Sequence, residues 1–523
     1  MNKIIDNFYH GYNKTVALAT KLLVIALVLF VAIYPDSAGQ KLLAAQNWST
    51  ETFGGWYIYV TLFYVICCLS LGLFNKTGKI KLGKENEHPE FTTLSWLSMM
   101  FGAGIGIGML TYSTAEPIFH FANNPDTITG VSAALNENNV RNAYKWAIFH
   151  YALHSWCIYG IIGISLAYFS YNRGMPLTIR SGLEPIFGKF MSSGLGNMTD
   201  IVSILATLVG LGVTIGYGVS QFSSGLFNIT GLEWLIDNEG RPSLTGQVFG
   251  LVLIMTISCV SAFTGIRKGI KWLSNINMGL SLLLLLFFVF FGATLFALKT
   301  FFITIWDYLI SFPGMAISVW KNNGTEINSN LQKWQSAWSI FYWAWWIAFA
   351  PFVGLFLARV SRGRTIREYI MGAIFIPSLI TLFWFAFVGG TAIDLELSGV
   401  AQGAIVNADI SAQLFQTINL FISPTMAIFL SVLVVVLLIT FLVTSADSGI
   451  LVMNTLASGG NTKNRELKHI ILWGLLFSIM IAVLLMAGGM DSLRSVMIIG
   501  ALPFSLILAL MPVALVKTIL QNK

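Results

Sequence analysis

Residues 334–367 read WQSAWSIFYWAWWIAFAPFVGLFLARVSRGRTIR, an aromatic and apolar stretch long enough to cross a bilayer that ends in a basic segment. One helix face carries five aromatic side chains at helical spacing: Trp338, Tyr342, Trp345, Trp346 and Phe349. A desolvated cation over an aromatic ring gains roughly 2 kcal/mol, and quaternary ammonium groups are typical ligands of aromatic cages. The same rings would also suit packing between helices or an interfacial belt. Because they lie mid-span beside Pro351 and Gly354, we favour a cage for an organic cation.

The whole chain is strongly apolar. Its 523 residues are 56% hydrophobic and only 10% charged, and the mean hydropathy is +0.74. A globular protein carries about a quarter charged residues, so the composition predicts a polytopic membrane protein. The net charge of +7 does not predict nucleic-acid binding, because the basic residues cluster in loops between apolar segments. The four cysteines lie in apolar segments and predict no disulfide framework, and the polar N-terminus predicts no signal peptide.

Apolar segments of spanning length occur about twelve times. They lie near residues 16–34, 56–74, 95–115, 146–169, 199–226, 246–263, 276–300, 335–358, 369–390, 425–444, 468–487 and 494–516. Loops after the even-numbered segments are rich in Lys and Arg, whereas 393–410 contains neither. The positive-inside rule therefore predicts that both termini are cytoplasmic, in the plasma (inner) membrane.

Two of these spans contain residues that disfavour helix. The third has four glycines at alternate positions, Gly102, Gly104, Gly106 and Gly108, and each costs about 1 kcal/mol of helix propensity. The eighth contains AFAPFVG at residues 348–354. Interrupted spans at corresponding positions of two halves are typical of the binding sites of secondary transporters. We therefore predict unwound segments at both places and two inverted five-helix repeats.

These observations predict an all-α fold in which two extra helices precede the repeats. The predicted parts are a cytoplasmic N-terminus with two peripheral helices (1–94), a first repeat (95–301), an interfacial amphipathic helix and loop (302–333), a second repeat (334–517) and a short cytoplasmic tail (518–523).

Two further groups of side chains suit ligand binding. The fourth span contains Tyr151, Trp156 and Tyr159, which either pack between helices or supply other walls of the same cage. The tenth span ends in LLITFLVTSADSG, where Thr444 and Ser445 offer hydroxyl oxygens. Sodium needs several oxygen ligands, and backbone carbonyls of the glycine-rich third span would complete such a shell. The alternative is that these hydroxyls bond to carbonyls of their own helix.

The remaining candidate residues give weaker evidence of a function. His150 and His154 have the i, i+4 spacing of paired zinc ligands, but the sequence between them supplies no Glu, and we do not predict a metal there. Glu116 and Asp447 are acids near helix ends, either buried and functional or interfacial. The chain has no GxSxG, HExxH or nucleotide-binding loop and predicts no enzyme. A channel would need a filter signature, which is not visible.

Three motifs resemble the betaine/choline/carnitine transporter family: GIGIGMLTYSTAEP, FYWAWWIAFAPFVGLFLARVSRGRTIREY and TSADSG. The resemblance covers essentially the whole chain. It implies a twelve-span fold with a LeuT-like core of two inverted repeats, assembled as a homotrimer in the lipid bilayer. It also implies uptake of solutes that bear a trimethylated ammonium, coupled to sodium, with no cofactor and no nucleic-acid partner.

By motif position, the resemblance implies a site for each ligand. The substrate cage would consist of Trp345, Trp346, Phe349, Tyr151, Trp156 and Tyr159, with Trp343 towards the cytoplasmic path. The sodium site would take backbone oxygens of Gly102, Ile105 and Phe441 and the hydroxyls of Thr444 and Ser445. A second sodium site would include Thr207 and Phe352, although Leu211 stands where a threonine is expected.

Some positions depart from the family pattern. Betaine-type members generally have Trp where this chain has Tyr151 and Phe349, and choline specialists tend to carry an acid where it has Gly108. No Lys or Arg stands in the cage to hold a carboxylate. Glycine betaine, choline, carnitine and trimethylamine therefore all remain candidate solutes. The alternatives are a sodium-independent exchanger or a proton-coupled carrier of the same solutes and, less favoured, a channel.

Overall fold

The computed structural model describes residues 8–104, 106–264, 267–461 and 466–521. Over these residues the chain folds into helices, and its strand-like pairing is limited to two isolated bridges. Ten helical stretches in this part of the chain are long and apolar enough to cross a membrane. The protein is therefore an all-α polytopic membrane protein, as the composition predicts.

Helices occupy all twelve predicted spans. We number them span 1 (Lys14–Ile33), span 2 (Pro35–Leu73), span 3 (Thr93–Gly104 and Gly106–Ala122), span 4 (Val140–Tyr151 and Leu153–Ala167), span 5 (Gly194–Thr230), span 6 (Leu244–Thr264), span 7 (Arg267–Phe291), span 8 (Phe341–Val360), span 9 (Ile366–Ile370, a π-helical turn Met371–Phe375 and Ile376–Leu397), span 10 (Pro424–Ala457) and spans 11 and 12 (Leu467–Gln521). Spans 11 and 12 are divided by Gly488 and Gly489, whose backbone is not helical.

The seventh span ends earlier than the sequence predicts. It stops at Phe291, and a separate connecting helix, Thr294–Ile317, follows it. Thr391 of span 9 lies so close that a Cβ at Gly292 would collide with its hydroxyl oxygen, which also accepts the backbone N–H of Ala293 at 3.2 Å. The chain turns here because only a glycine allows span 9 this close. The predicted interfacial helix therefore begins before residue 302 and includes the end of the predicted seventh span.

The predicted break in span 8 is wrong. The helix runs without interruption through Pro351 from Phe341 to Val360, and the irregular part is instead a π-helical turn, Ser336–Ile340, just before it. Gly354 allows close packing of span 8 against span 4, because a Cβ there would collide with Cγ2 of Ile162. A small residue thus lets two spans approach closely and does not unwind the helix.

The glycine-rich part of span 3 is helical on both sides of residue 105. Gly102 and Gly104 lie in the first helix, and Gly106 and Gly108 lie in the second. The prediction of an unwound segment is therefore wrong at all four glycines, and Ile105 between them lies outside the described residues. A Cβ at Gly106 would lie 2.6 Å from Cδ1 of Phe441, so this glycine brings span 3 against span 10.

Span 4 contains a break that the sequence did not predict. Its helix stops at Tyr151, Ala152 has the non-helical angles φ −94° and ψ −119°, and a new helix begins at Leu153. Neither Pro nor Gly marks this position. The break lies inside the second predicted aromatic group and changes the direction in which its side chains project.

The basic cluster after span 8 anchors neighbouring loops. The guanidinium of Arg364 lies 4.0 Å over the ring of Trp96 and donates to the carbonyl of Phe91 at 2.9 Å. Arg367 donates to the carbonyl of Gly72 at the end of span 2, at 2.9 Å. Partial burial lowers the pKa of Arg364, although an arginine remains charged at any physiological pH. These contacts join spans 2, 3 and 8 at one side of the bundle.

The centre of the molecule is built from spans 3, 4, 5, 8 and 10. Span 8 packs against spans 4 and 5, span 3 against spans 9 and 10, and span 5 against span 10. Nearly every side chain of span 8 is buried. The aromatic stretch of residues 338–349 is therefore enclosed by protein, which excludes the interfacial-belt interpretation of its rings.

Candidate functional site

The indole of Trp346 is the centre of the aromatic cluster. Its ring meets Tyr151 edge to face at a centroid distance of 5.3 Å and Tyr159 at 6.1 Å. Trp346 is 2% exposed and both tyrosines are fully buried. Span 8 and both halves of span 4 thus converge on one ring, as the sequence predicts for the walls of a shared box.

Phe349 and Trp156 complete this side of the cluster. The ring of Tyr159 lies 6.4 Å from Phe349 and 6.0 Å from Trp156, the latter at an interplanar angle of 87°. Trp156 Nε1 and the Tyr159 hydroxyl are both buried and have no hydrogen-bond partner in the described structure. Buried polar groups nearly always have a partner, so these two donors are available to a polar group of a ligand.

Trp345 also packs against Trp346. The two indoles stack with centroids 5.1 Å apart and planes 10° from parallel. The other neighbours of Trp345 include Tyr112 at 6.0 Å and Tyr217 at 5.6 Å, and its N–H donates to the hydroxyl of Thr214 at 3.1 Å. Sequence analysis missed all three neighbours, although Tyr112 belongs to the glycine-rich motif of span 3.

Trp343 is not part of this cluster. Its ring stacks on His154 at 4.5 Å and meets Phe149 edge to face at 5.3 Å, so it packs against residues of span 4 on either side of the break at Ala152. The structure therefore brings the six predicted cage residues together around Trp346. It leaves Trp343, which was predicted to lie towards the cytoplasmic path, among packing contacts.

Hydrogen bonds hold the rings in place. Trp346 donates its indole N–H to the carbonyl of His150 at 2.9 Å. Tyr342, which stacks on Trp346 at 5.6 Å, donates its hydroxyl to Glu116 Oε2 at 2.6 Å. The hydroxyl of Tyr151 lies 3.3 Å from both the carbonyl of Gly108 and the hydroxyl of Tyr342. Glu116 is fully buried and reaches the cluster through Tyr342, which excludes the interfacial alternative for this acid.

The break at Ala152 makes this convergence possible. In an unbroken helix, Tyr151 and Trp156 would point about 140° apart, since successive residues turn by about 100°. The non-helical backbone at Ala152 reorients the two halves of span 4 so that rings on both sides of the break reach one cluster.

Of the residues predicted to bind sodium, Phe441 lies where spans 3 and 10 meet. Phe441 touches Gly106, as described above, and Gly102 lies in the first helix of span 3, while Ile105 is outside the described residues. The Thr444 hydroxyl lies 3.0 Å from the carbonyls of both Thr440 and Phe441, the intrahelical bond named as the alternative. Ser445 is half-buried one residue further on.

The two residues of the predicted second sodium site lie on packed helices. Gly210 of span 5 lies against Ala348 and Phe349 of span 8, where a Cβ would sit 3.0 Å from the backbone. Thr207 is one turn from Gly210 and Phe352 one turn from Phe349. The Thr207 hydroxyl donates to the carbonyl of Ser203 at 2.8 Å. Leu211, in contrast, packs against Gly449 of span 10 and offers no oxygen.

The fold and this centre define a polytopic membrane protein with an aromatic site buried between its spans. Residues 15–523 match the family model described as "BCCT, betaine/carnitine/choline family transporter". The chain belongs to this family, which confirms the resemblance drawn from its motifs. It is therefore a membrane transporter and not an enzyme.

Three curated relatives illustrate the range of the family. The chain is 36% identical to the glycine betaine transporter OpuD of Bacillus subtilis, over 95% of this chain and 93% of that protein. It is 35% identical to an ectoine/hydroxyectoine transporter of Virgibacillus pantothenticus, over 95% of each chain. It is 32% identical to the osmo-dependent choline transporter BetT2 of Acinetobacter baylyi, over 97% of this chain and 71% of that protein.

Proposed function

We propose that this chain is a secondary transporter that imports a methylated ammonium solute together with Na⁺ by alternating access. One observation carries the proposal: the buried ring of Trp346 on span 8 is surrounded by Tyr151 and Tyr159 of span 4. A cage whose walls come from different spans tightens or opens when those spans shift. Substrate binding and a change of access are then coupled, since the solute favours the conformation that encloses it best.

A trimethylated ammonium suits this cluster because it keeps its charge without needing hydrogen-bond acceptors around its methyl groups. Its attraction to a ring face is worth roughly 2 kcal/mol or more once both are desolvated. Neighbouring rings of the cluster have their centroids 5.1 to 6.4 Å apart, which are ring-contact distances. Solute binding therefore requires these rings to separate, as expected of a site that rearranges during transport.

The names of the relatives support a betaine- or choline-like solute, but they include ectoine and so leave the solute open. The two unpartnered donors, Trp156 Nε1 and the Tyr159 hydroxyl, offer a distinction. A carboxylate or hydroxyl oxygen of glycine betaine, carnitine or choline would accept a hydrogen bond from them. Trimethylammonium has no acceptor and would bind through the rings alone.

Sodium coupling is supported by the position of its proposed ligands. Thr444 and Ser445 lie beside Phe441, where span 10 contacts the glycine-rich part of span 3. The intrahelical bond of Thr444 does not exclude ion binding, because a hydroxyl that donates its proton still has lone pairs for a cation. Thr207 and Phe352 are the proposed residues of a second ion site.

The proposal includes the orientation and assembly that the sequence predicts: cytoplasmic termini, an inner membrane, a homotrimer and two inverted repeats. Packing supports the repeats. In two such repeats, span 8 corresponds to span 3 and span 9 corresponds to span 4. The packing of span 4 against span 8 should then be matched by packing of span 9 against span 3. Both contacts are present.

Uptake into proteoliposomes tests this function. Glycine betaine, choline, carnitine and trimethylamine are each offered with and without an inward Na⁺ gradient, and one of them should accumulate only with Na⁺. Equal uptake without Na⁺ would favour an exchanger, and dependence on an imposed pH gradient would favour a proton-coupled carrier. Non-saturating flux without counterflow would favour a channel.

A further inference from the structure

A second polar centre lies beside the aromatic cluster. Glu116, His120 and His150 are all fully buried, and one potential ligand atom from each falls within 4.8 Å of the others. Glu116 Oε1 lies 2.5 Å from His150 Nδ1 and 3.2 Å from His120 Nε2. Span 3 supplies Glu116 and His120 from successive turns, and span 4 supplies His150.

His154 does not take part, although its spacing from His150 attracts attention in the sequence. It lies one turn further along span 4, beyond the break at Ala152, and its ring stacks on Trp343. Its Nδ1 has no hydrogen-bond partner in the described structure. The i, i+4 pair that contributes to this polar centre is therefore Glu116 and His120 on span 3.

The ring nitrogens and the carboxylate oxygen that face away from the centre of the three side chains also have polar partners. The second ring nitrogen of His150 lies 2.9 Å from the hydroxyl of Ser339, and that of His120 lies 3.5 Å from the carbonyl of Asn123. Glu116 Oε2 accepts the hydroxyl of Tyr342 at 2.6 Å. Metal-binding histidines and carboxylates characteristically have such outer partners, which fix the tautomer and the orientation of the ligand.

We propose that Glu116, His120 and His150 bind a divalent transition-metal ion of the Zn²⁺ class. Two imidazole nitrogens and one carboxylate oxygen form a donor set that Zn²⁺ takes in tetrahedral geometry, with a fourth position left for water. The ion also compensates a carboxylate that is otherwise buried without a Lys or Arg partner. His120 lies two residues before the end of span 3 at Ala122, which places the site near the end of that helix.

The site touches the proposed cage through two groups. Tyr342 bonds Glu116 and stacks on Trp346, and the backbone carbonyl of His150 accepts the Trp346 indole N–H. A bound ion therefore fixes the side chains that hold the central ring. This inference is independent of the proposed transport function, because metal binding is measured without any solute.

Metal binding to the purified full-length protein tests the proposal. After treatment with a chelator and its removal, Co²⁺ and Zn²⁺ are titrated separately. We expect one Co²⁺ per chain with the intense visible absorption of a four-coordinate ion, displacement by Zn²⁺, and a melting temperature that rises with free Zn²⁺. Failure to bind a stoichiometric ion, or a weak spectrum typical of hydrated Co²⁺, would overturn the proposal.

Variants locate the ion. His120→Gln and His150→Gln should each weaken Co²⁺ affinity at least 10-fold, and His154→Gln is the matched control, a buried histidine of the same region that should leave affinity unchanged. Ser339→Ala, which removes only an outer partner, should weaken affinity by about 10-fold. Equal weakening by His120→Gln and His154→Gln would contradict the assigned ligands. If the ligand variants do not fold, the Co²⁺ spectrum of the unaltered protein still shows whether a four-coordinate ion is bound.

Discussion

The indole N–H of Trp346 donates to the carbonyl oxygen of His150 at 2.9 Å, and this bond ties the central ring of span 8 to the end of the first helix of span 4. His150 stands two residues before the break at Ala152. The bond therefore fixes the aromatic cluster relative to the break in span 4, and a shift of the first half of that span must move the ring or break the bond.

Replacing Trp346 should separate the roles of its ring and of its hydrogen bond. Trp346→Ala removes a cation–π contact of about 2 kcal/mol, which is roughly 30-fold in solute affinity. Trp346→Phe keeps a ring and should cost less. Solute binding by isothermal titration measures both. Trp473→Phe, a buried indole of span 11 outside the cluster, is the control, and an affinity unchanged in Trp346→Ala would exclude the cage.

Removing the hydroxyl of Tyr159 should discriminate between solutes. Because this hydroxyl has no partner among the residues that the structure describes, Tyr159→Phe should cost little stability. It should lower the affinity for a solute with a carboxylate or hydroxyl acceptor by roughly 10-fold, the value of one hydrogen bond of about 1.4 kcal/mol. Trimethylamine binding should not change. An equal effect on all solutes would show that the hydroxyl acts through ring position instead.

Removing both hydroxyls of the proposed sodium site should weaken ion coupling. Thr444→Ala with Ser445→Ala should raise the Na⁺ concentration for half-maximal uptake by an order of magnitude or more, since two of five proposed oxygen ligands are lost. Uptake as a function of Na⁺ gives this value. Thr455→Ala is the control, because Thr455 of span 10 makes the same kind of intrahelical bond, to Leu451 at 2.8 Å. An unchanged Na⁺ dependence would remove Thr444 and Ser445 from the site.

The close approach of spans 4 and 8 should depend on Gly354. Gly354→Ala places a Cβ against Ile162 in a buried interface, and such overpacking typically costs about 1–3 kcal/mol. Thermal unfolding in detergent should show a lower melting temperature. Gly314→Ala in the connecting helix, where a Cβ meets nothing within 4 Å, is the control and should be neutral or slightly stabilising. Equal melting temperatures would contradict the tight packing at Gly354.

Several features of this protein follow from its sequence because they are local. The apolar helices depend on the length of the apolar segments, and the aromatic face of span 8 depends on helical spacing. Both were predicted correctly: ten helical stretches of the described chain are long and apolar enough to cross a membrane, and further apolar helices accompany them. The family was predicted from short motifs within single spans, and the match over residues 15–523 confirms it. The grouping of Tyr151, Trp156 and Tyr159 with Trp346 was expected from the resemblance, and the structure places these rings together.

Other features depend on contacts between distant spans and were decided only by tertiary structure. Pro351 continues a helix that neighbouring spans enclose, whereas Ala152, with no Pro or Gly to mark it, breaks one. Trp343 belongs to the aromatic motif but faces His154. Glu116 meets His150 across 34 positions of sequence, while His154, four residues after His150, packs against Trp343 instead. Spacing determines which side chains share a helix face, but only the packing of that helix determines what the face meets.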